Sequence, residues 1–415
     1  MSITEKPKDY QTLFLDMNSF FASVEQQVQP PLRGKPVGIA PFTGGTGCII
    51  AASKEAKERG VKIGRVSDMK KICPEIQIVE SRPALYMIYH KEIKKVIESF
   101  TPYFTPLSID EFILHLTPRE QNYNSAVKLG QNLKDAIKSR VGDFLTCSVG
   151  IGPSRFLAKM AGERKKPDGL TVVQLSGLEK FYAGLSLLDI TGINYRLQYL
   201  LNFHKIYSPT DLFNCSVAKL RQVLNHPGRL WYYRLRGYEV DNAIIKSKTI
   251  GHSHVLAPEL RSRAGAESVI RKLIFKASKR LRDEKYFATG VYVCIYFYGD
   301  TKRGISGRSF SQSKKTASFC DTKSFSDHVF SLLKKCIWRG QPGYVAISSF
   351  GLVRMAGEQI SLLCEIEKQK SLSKAIDLIN DQFGPSTIFP ASMFLGRDSA
   401  PDRIPFGMPR YEIKF

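Results

Sequence analysis

The chain has 415 residues and a 43% hydrophobic share, enough for several packed cores, and its length predicts two to four domains. A formal net charge of +23 implies a polyanionic partner, either nucleic acid or an anionic membrane surface. No apolar run reaches the ~18 residues of a membrane span, the polar start MSITEKPKDY is no signal peptide, and the eight cysteines form no C-x-x-C pair, which points away from membrane-spanning, zinc and thiol-redox classes and favours a cytoplasmic nucleic-acid-binding protein with reduced thiols.

In chain order, residues 12–17 (TLFLDM) are an apolar run of strand length ending near a carboxylate. Asn18 or Ser19 then caps a predicted helix carrying Phe20, Phe21, Val24 and Val28, which Pro30, Pro31, Gly34 and Pro36 break. Residues 37–52 alternate apolar stretches with the Gly-rich turn FTGGTG. Residues 54–59 and 65–72 read as short basic helices and residues 84–100 as a longer amphipathic one. After Pro102 and Pro106 comes a second apolar stretch, LSIDEFILHL, which contains an acidic pair. A helix follows around 124–140, then the strand TCSVGI (146–151). Ser154 caps a helix RFLAKMAGERKK, Pro167 and Gly169 end it, and LTVV is a last strand. With residues 35–85 set aside, the order is β-α-α-β-β-α-β-α-β. That predicts an α/β (α+β) ferredoxin-like sheet backed by helices, with a small helical insertion.

Residues 180–240 read as helical, with a hairpin at ITGIN (190–194), and DNAIIKSK (241–248) reads as a linker. From 249 to 353 the strand runs TIGHSHVLA, ATGVYVCIYFYG and GYVAISSFGLV alternate with helices near 264–284 and 325–339, which predicts a second α/β domain. The tail, 354–415, is polar at first and rich in proline near its end. Residues 246–350 hold 20 Lys and Arg against 7 Asp and Glu, so a quarter of the chain carries over half of its excess charge. A nucleic-acid-binding surface is expected there.

Asp16 lies at the end of the first strand, and Asp110 and Glu111 sit among Leu107, Ile109, Phe112, Ile113 and Leu114. Acidic groups in such surroundings require compensation from Lys or Arg, from backbone donors, or from a metal. Mg²⁺ suits them, because it takes oxygen ligands and one or two carboxylates with substrate phosphates. A structural ion-pair network accounts for the same residues.

The segments LDMNSFFASVE (15–25), PLRGKPVGIA (31–40), LSIDEFIL (107–114) and SVGIGPSRFLAKMAGERKKPDGL (148–170) resemble, in order and spacing, the Y family of DNA polymerases. The resemblance runs through the first 175 residues, is looser over 176–350 and returns in the tail. It implies a right-hand polymerase: a ferredoxin-like palm (1–34 and 86–175), small fingers (35–85), a helical thumb (176–243), a separate basic α/β little finger that binds DNA (249–353), and a C-terminal tail (354–415). The implied activity is template-directed addition of dNTPs to the 3′-hydroxyl of a primer on primer–template DNA. The implied setting is translesion synthesis, DNA repair and the damage (SOS) response. Asp16, Asp110, Glu111 and the Met17 carbonyl would hold two Mg²⁺ ions, about 4 Å apart in such sites. The alternative is a catalytically weak polymerase-like scaffold that recruits other proteins to DNA and to the sliding clamp. Some relatives of that kind have lost the acidic ligands, and all three stand here.

The resemblance also makes Phe21 the steric gate, a ring under the sugar that leaves no room for a 2′-hydroxyl; adjacent aromatics such as Phe20 and Phe21 equally suit a core. The nucleotide-binding set it implies comprises the backbone amides of Asn18, Ser19, Phe20 and Phe21 at a helix start, Lys166 of KKPDG, and Lys54 and Lys57. These last two stand where many members carry Tyr and Arg, and keep charge without the bidentate fork. Arg155 and Lys159 read as readily as helix-surface residues. ITGIN resembles a degraded helix-hairpin-helix in which Gly192 would admit a phosphate, and also reads as a plain helix–helix turn. Arg271, Lys272, Arg303 and Arg308 are candidate phosphate contacts of the basic domain. In the tail, QISLL resembles the peptide that bacterial polymerases insert into the sliding clamp, with Gln359, Leu362 and Leu363 as anchors; an ordinary strand QISLLCEI is the other reading. INDQFGPSTI…DRIPFG resembles tails of polymerase V-type catalytic subunits, which brings in accessory subunits as candidate partners and a bacterial or bacteriophage source.

Overall fold

Alternation of side chains along the first strand decides which way the catalytic candidate points. In β1 (Thr12–Met17), Leu13, Leu15 and Met17 enter the main core, whereas Phe14 packs on the opposite face of the sheet and Asp16 shares that face. The computed structural model describes residues 6–41, 43, 47–241, 248–299, 306–355 and 364–400. These residues divide into two units, the first up to residue 241 and the second from 248 to 400.

In the first unit α1 (Phe20–Val28) follows β1. Next come β2 (Val37–Ala40), β3 (Cys48–Ile49), β4 (Ala51–Ala52), α2 (Lys54–Glu58), β5 (Gly64–Arg65), α3 (Val66–Ile72) and β6 (Gln77–Glu80). β2 pairs with β4 and β6, β3 pairs with β5, and the segment has its own small core around Ile49, Ala56, Val66 and Ile76. α4 (Pro83–Glu98) returns the chain to the main sheet. There β7 (Phe104–Pro106) and β8 (Glu111–His115) pair, followed by α5 (Tyr123–Arg140), β9 (Cys147–Gly152), α6 (Arg155–Glu163) and β10 (Leu170–Val172).

The strand order is β10-β9-β1-β8-β7, antiparallel except for the β10–β9 pair. Apart from the 35–85 segment, this is the element order expected from the sequence. Ile93 and Ile97 of α4 and Leu133 and Ile137 of α5 cover the face carrying Leu13 and Leu15. Ala158 of α6 packs with Phe14 and Ile113 on the other. α6 lies so close to β9 that a Cβ on Gly150 would stand 2.0 Å from the Ala158 carbonyl oxygen and 2.3 Å from the Gly162 nitrogen. Only glycine admits this approach.

Residues 178–235 are helical, as α7 (Leu178–Ala183), α8 (Tyr195–Phe203), α9 (Pro209–Asn214), α10 (Val217–Leu224) and α11 (His226–Leu235), around Tyr182, Leu201, Leu212, Leu220 and Leu235. The expected hairpin at 190–194 is a turn entered from a single 3-10 turn, Leu187–Asp189, rather than from a full helix. Gly192 has φ +95° there, against the Trp231 ring. Asn194 caps α8, its side chain accepting the Leu197 N–H at 2.9 Å.

The second unit comprises β11 (Thr249–Val255), α12 (Arg263–Asp283), β12 (Tyr286–Phe297), β13 (Arg308–Phe319), α13 (Thr322–Leu333), β14 (Pro342–Phe350), β15 (Val353–Arg354) and α14 (Cys364–Phe383). Its main sheet runs β11-β14-β12-β13, all antiparallel. Val269, Leu273 and Ala277 of α12 and Val329 of α13 pack against Val291, Val293, Ile295, Val345 and Ile347. By register, the opposite sheet face presents Tyr292, Tyr296, Ser309, Ser311, Ser313, Lys315 and Ser348.

The tail departs from the sequence reading. Residues 364–383 form a helix, so the strand reading of QISLLCEI fails at least from Cys364 onward. Tertiary pairing holds this helix: Asp377 accepts two bonds from Arg282 of α12, at 2.6 and 2.8 Å, and both side chains are nearly buried. The chain then passes along α12, where Ser268 Oγ accepts the Gly396 N–H at 2.9 Å. Among the described residues no helix is long and apolar enough to cross a membrane.

Candidate active site

Asp16 on β1 lies opposite Glu111 on β8 and Ser148 on β9. Residues directly opposite in an antiparallel pair share a face, so Asp16 and Glu111 both project toward α6. Asp110 is held just before β8: its carbonyl accepts the Met17 N–H at 2.9 Å, and its carboxylate accepts Ser108 Oγ at 2.5 Å. Ser108 Oγ also accepts the Glu111 N–H at 3.1 Å. One serine, unremarked in the sequence reading, therefore shapes the acidic turn.

The electrostatics are those of buried acids with cationic neighbours. Asp16 is 6% exposed, and burial pushes its carboxyl up to about 6 although Lys166 opposes the rise; Asp110 nearby adds to it. Burial also raises Asp110, against the Ser108 bond. Lys166 bonds to Asp16, and to Glu163 at 2.6 Å. Burial disfavours its ammonium, but Asp16 and Glu163 outweigh burial and hold the group above its ordinary value. Lys159 of α6 donates to both Glu111 oxygens, at 2.7 and 3.0 Å, with Phe14 beneath its ammonium. It belongs to the site and not to a solvated helix surface.

With the side chains drawn to separate lysines, no three His, Cys, Asp or Glu side chains among the described residues meet around one point. The donor set nonetheless fits Mg²⁺. Asp16, Asp110 and Glu111 offer only hard oxygens, and the burial that raises the two aspartates is what a divalent cation relieves.

The nucleotide candidates separate into groups. Ser19 takes the N-cap position of α1 at φ +48° but does not cap it; its hydroxyl accepts Lys57 Nζ at 2.9 Å instead. Burial lowers the Lys57 ammonium, and the Lys166 charge lowers it further. Asn18 is buried and committed to the scaffold. Its amide N–H goes to the Thr146 carbonyl at 2.9 Å, its side chain donates to Ser148 Oγ at 2.9 Å, and its Oδ1 accepts the Asp168 N–H at 2.8 Å. Asn18 thereby ties β1 to the KKPDG turn that carries Lys166. Phe20 is 3% exposed and belongs to the core. Phe21 is half-buried and stacks on Tyr86, ring centroids 4.4 Å apart. Lys54 projects to solvent, 3.8 Å from Glu58, and is not drawn into this group.

The basic candidates of the second unit are placed differently from expectation. Arg271 stacks on Phe330 of α13 at 3.8 Å, and Lys272 donates to the Arg397 carbonyl. Arg308 faces the helix side of the sheet and donates to the Ile337 carbonyl and, at 2.9 Å, to the Arg339 carbonyl. Lys272 and Arg308 thus satisfy carbonyls of the returning tail and of the loop after α13, and Arg271 packs on α13. Arg303, Gln359, Leu362 and Leu363 lie outside the described residues.

A model of the impB/mucB/samB family matches residues 15–163, and a model of that family's C-terminal domain matches residues 247–373. The DNA polymerase IV of Pelotomaculum thermopropionicum is 30% identical over 394 residues, which cover 91% of this chain and 94% of that protein. This chain belongs to the Y family of DNA polymerases. The DNA polymerase IV of Moorella thermoacetica is also 30% identical, over 94% of this chain and 97% of its own. Solved Y-family structures share the fold: a chimeric Y-family DNA polymerase superposes with a TM-score of 0.69 at 22% identity, covering 83% of this chain and 99% of its own. DinB from Sulfolobus solfataricus does so with a TM-score of 0.54 at 24% identity, over 82% of this chain and 98% of its own.

Proposed function

We infer that this Y-family chain is a template-directed DNA polymerase that transfers a nucleotidyl group from a dNTP to a primer 3′-hydroxyl and copies damaged templates. The observation that carries the reading is the pairing of Asp16 with Glu111. It brings two acidic segments, far apart in sequence, to one end of one sheet beside two lysines.

Nucleotidyl transfer asks a site to align the reactants and to neutralise phosphate charge. Asp16, Asp110 and Glu111, with the Met17 carbonyl, would hold two Mg²⁺, which supply activation of the primer hydroxyl and charge neutralisation at the leaving pyrophosphate. Lys166 and Lys57 would bind the triphosphate, Lys166 exchanging its carboxylate partner for a phosphate oxygen. The start of α1, at Phe20, adds the positive end of a helix dipole. Phe21 would stand under the sugar.

In the second unit the open sheet face would hold primer–template DNA. Tyr292, Tyr296, Ser309, Ser311 and Ser313 offer hydroxyl donors to phosphates, and Lys315 adds charge. The segment around Gln359, Leu362 and Leu363 would engage the sliding clamp, and accessory subunits would join it in a cytoplasmic damage (SOS) response. The three intact carboxylates favour chemistry over a scaffold role.

Primer extension with dNTPs and Mg²⁺ on a template carrying a single abasic site tests the reading. Synthesis past the site is expected; no synthesis on either this or an undamaged template would turn the reading toward the scaffold.

A further inference from the structure

Glu25 is a carboxylate that nucleotidyl transfer does not require. It lies one helical turn after Phe21 on α1 and is 0% exposed. Every partner it has is specific: it accepts the Tyr86 hydroxyl at 2.9 Å, Arg82 Nε at 3.1 Å, a second Arg82 nitrogen, and Gln29 Nε2 at 2.8 Å. Arg82 occupies the N-cap position of α4, and Tyr86 lies one turn into that helix. A charge buried this deeply is costly unless fully paired, and here Arg82, Gln29 and the Tyr86 hydroxyl together complete the pairing.

That tyrosine touches the gate. Tyr86 is 1% exposed, and its ring lies 4.4 Å from the Phe21 ring with the planes 14° apart. Phe21 and Glu25 are four residues apart and so share one face of α1. Tyr86 bridges them, its ring against the first and its hydroxyl on the second. Phe20, by contrast, is locked by the core on all sides, whereas Phe21 is only half-buried. Its orientation depends on what it stacks against. A gate that excludes a single hydroxyl by collision works only while its ring cannot tilt away.

We propose that Glu25, acting through the Tyr86 hydroxyl, is the positioning residue that holds the Phe21 ring in place and so sets how strongly ribonucleotides are rejected. The inference rests on the reading of Phe21 as the sugar gate. Arg82 stands as counter-charge beside the Glu25 carboxylate that accepts the Tyr86 hydrogen bond.

The test is single-nucleotide insertion, read as the ratio of kcat/KM for a dNTP to that for the rNTP of the same base, with a melting temperature for each variant. Phe21→Ala should lose most of the discrimination. Tyr86→Phe, which removes one oxygen and keeps the ring, and Glu25→Ala should each lower the ratio by about fivefold or more, chiefly through a lower KM for the rNTP. Glu25→Gln keeps an acceptor for the hydroxyl and should stay within about twofold of native. In the Phe21→Ala background neither Tyr86→Phe nor Glu25→Ala should change the ratio further, because coupled positions are not additive. If Phe21→Ala leaves the ratio at its native value, the gate reading falls and takes this inference with it. If Phe21→Ala opens the site but Tyr86→Phe and Glu25→Ala keep the native ratio, or shift it equally without Phe21, then Glu25 only braces α1 against α4 and the proposal is overturned. Should Glu25→Ala not fold, Tyr86→Phe decides by the same criterion.

Discussion

Asp16 and Glu111 face one another across β1 and β8, and each is paired to a different lysine, Lys166 and Lys159. Lys159 lies on α6 and Lys166 on the turn just beyond it, so one short stretch of chain supplies both counter-charges to the acidic end of the sheet. The placement of α6 thus sets the electrostatics of the site.

Lys166 is expected to serve the nucleotide more than the fold. Lys166→Ala should raise KM for dNTPs about tenfold or more, with a smaller fall in kcat, as steady-state insertion kinetics would read. A loss confined to kcat, with KM unchanged, would contradict triphosphate binding by this residue.

Gly150 is expected to be intolerant of any side chain. The Cβ of Gly150→Ala would meet the backbone of α6 at 2.0 and 2.3 Å, and neither atom belongs to a flexible side chain. The first unit should lose about 1–3 kcal/mol or more in urea unfolding. Activity should fall with it, since α6 must back away from Glu111. A variant of native stability would mean that α6 does not sit against β9 as described.

His90 is expected to make the first unit acid-sensitive. Burial holds its imidazole below the ordinary value, with Lys94 and Lys91 adding to the effect and the Ile109 carbonyl, 2.8 Å from Nδ1, opposing it. Nε2 is buried and has no hydrogen-bond partner among the described residues, so a proton placed there would be unsatisfied. As pH falls through the ordinary histidine value, the unfolded chain takes up a proton that the fold refuses, and stability is lost. Urea unfolding between about pH 7.5 and 5.5 should show a steeper loss for the native chain than for His90→Phe, which keeps the stack on Phe112 and does not titrate. Equal slopes would contradict the assignment.

The second unit separates two kinds of cation. Lys315→Ala should lower the slope of log Kd for duplex DNA against log salt by about one, the effect of one lost phosphate contact. Arg308→Ala should leave that slope unchanged and destabilise the unit, because its guanidinium is spent on the Ile337 and Arg339 carbonyls. Fluorescence anisotropy across a salt series, with a melting curve for each variant, distinguishes the two; a salt slope that responds to Arg308 and not to Lys315 would place the DNA on the wrong face.

What the sequence made legible was local. A strand run reaching a carboxylate, an acidic pair among apolar residues, and a serine three residues before a helix amide are short-range patterns, and Ser154 does cap α6, accepting the Leu157 N–H at 3.4 Å. The order of elements in the main sheet follows from the same signals. What stayed hidden depends on partners distant in sequence. Nothing near Glu25 marks it as buried, because glutamates on helices are normally solvated, and its partners Arg82 and Tyr86 arrive on another helix. Lys159 looks like any helix cation until β8 is laid beside α6. Net charge identifies the basic region, but whether Arg271, Lys272 and Arg308 are open to a ligand is decided by α13, by the loop after it and by the returning tail. The N-cap expectation at Asn18 and Ser19 fails for a related reason: both side chains are used by groups from other segments, Asn18 by Ser148 and the Asp168 amide and Ser19 by Lys57.

The acidic end of the main sheet is expected to perform nucleotidyl transfer, and primer extension on a gapped template with dNTPs and Mg²⁺ tests this by comparing the native chain with Asp110→Ala plus Glu111→Ala. Extension by the native chain, and none by a double variant that melts normally and still binds duplex DNA, is the predicted result. Extension at a native rate by the double variant would contradict the account.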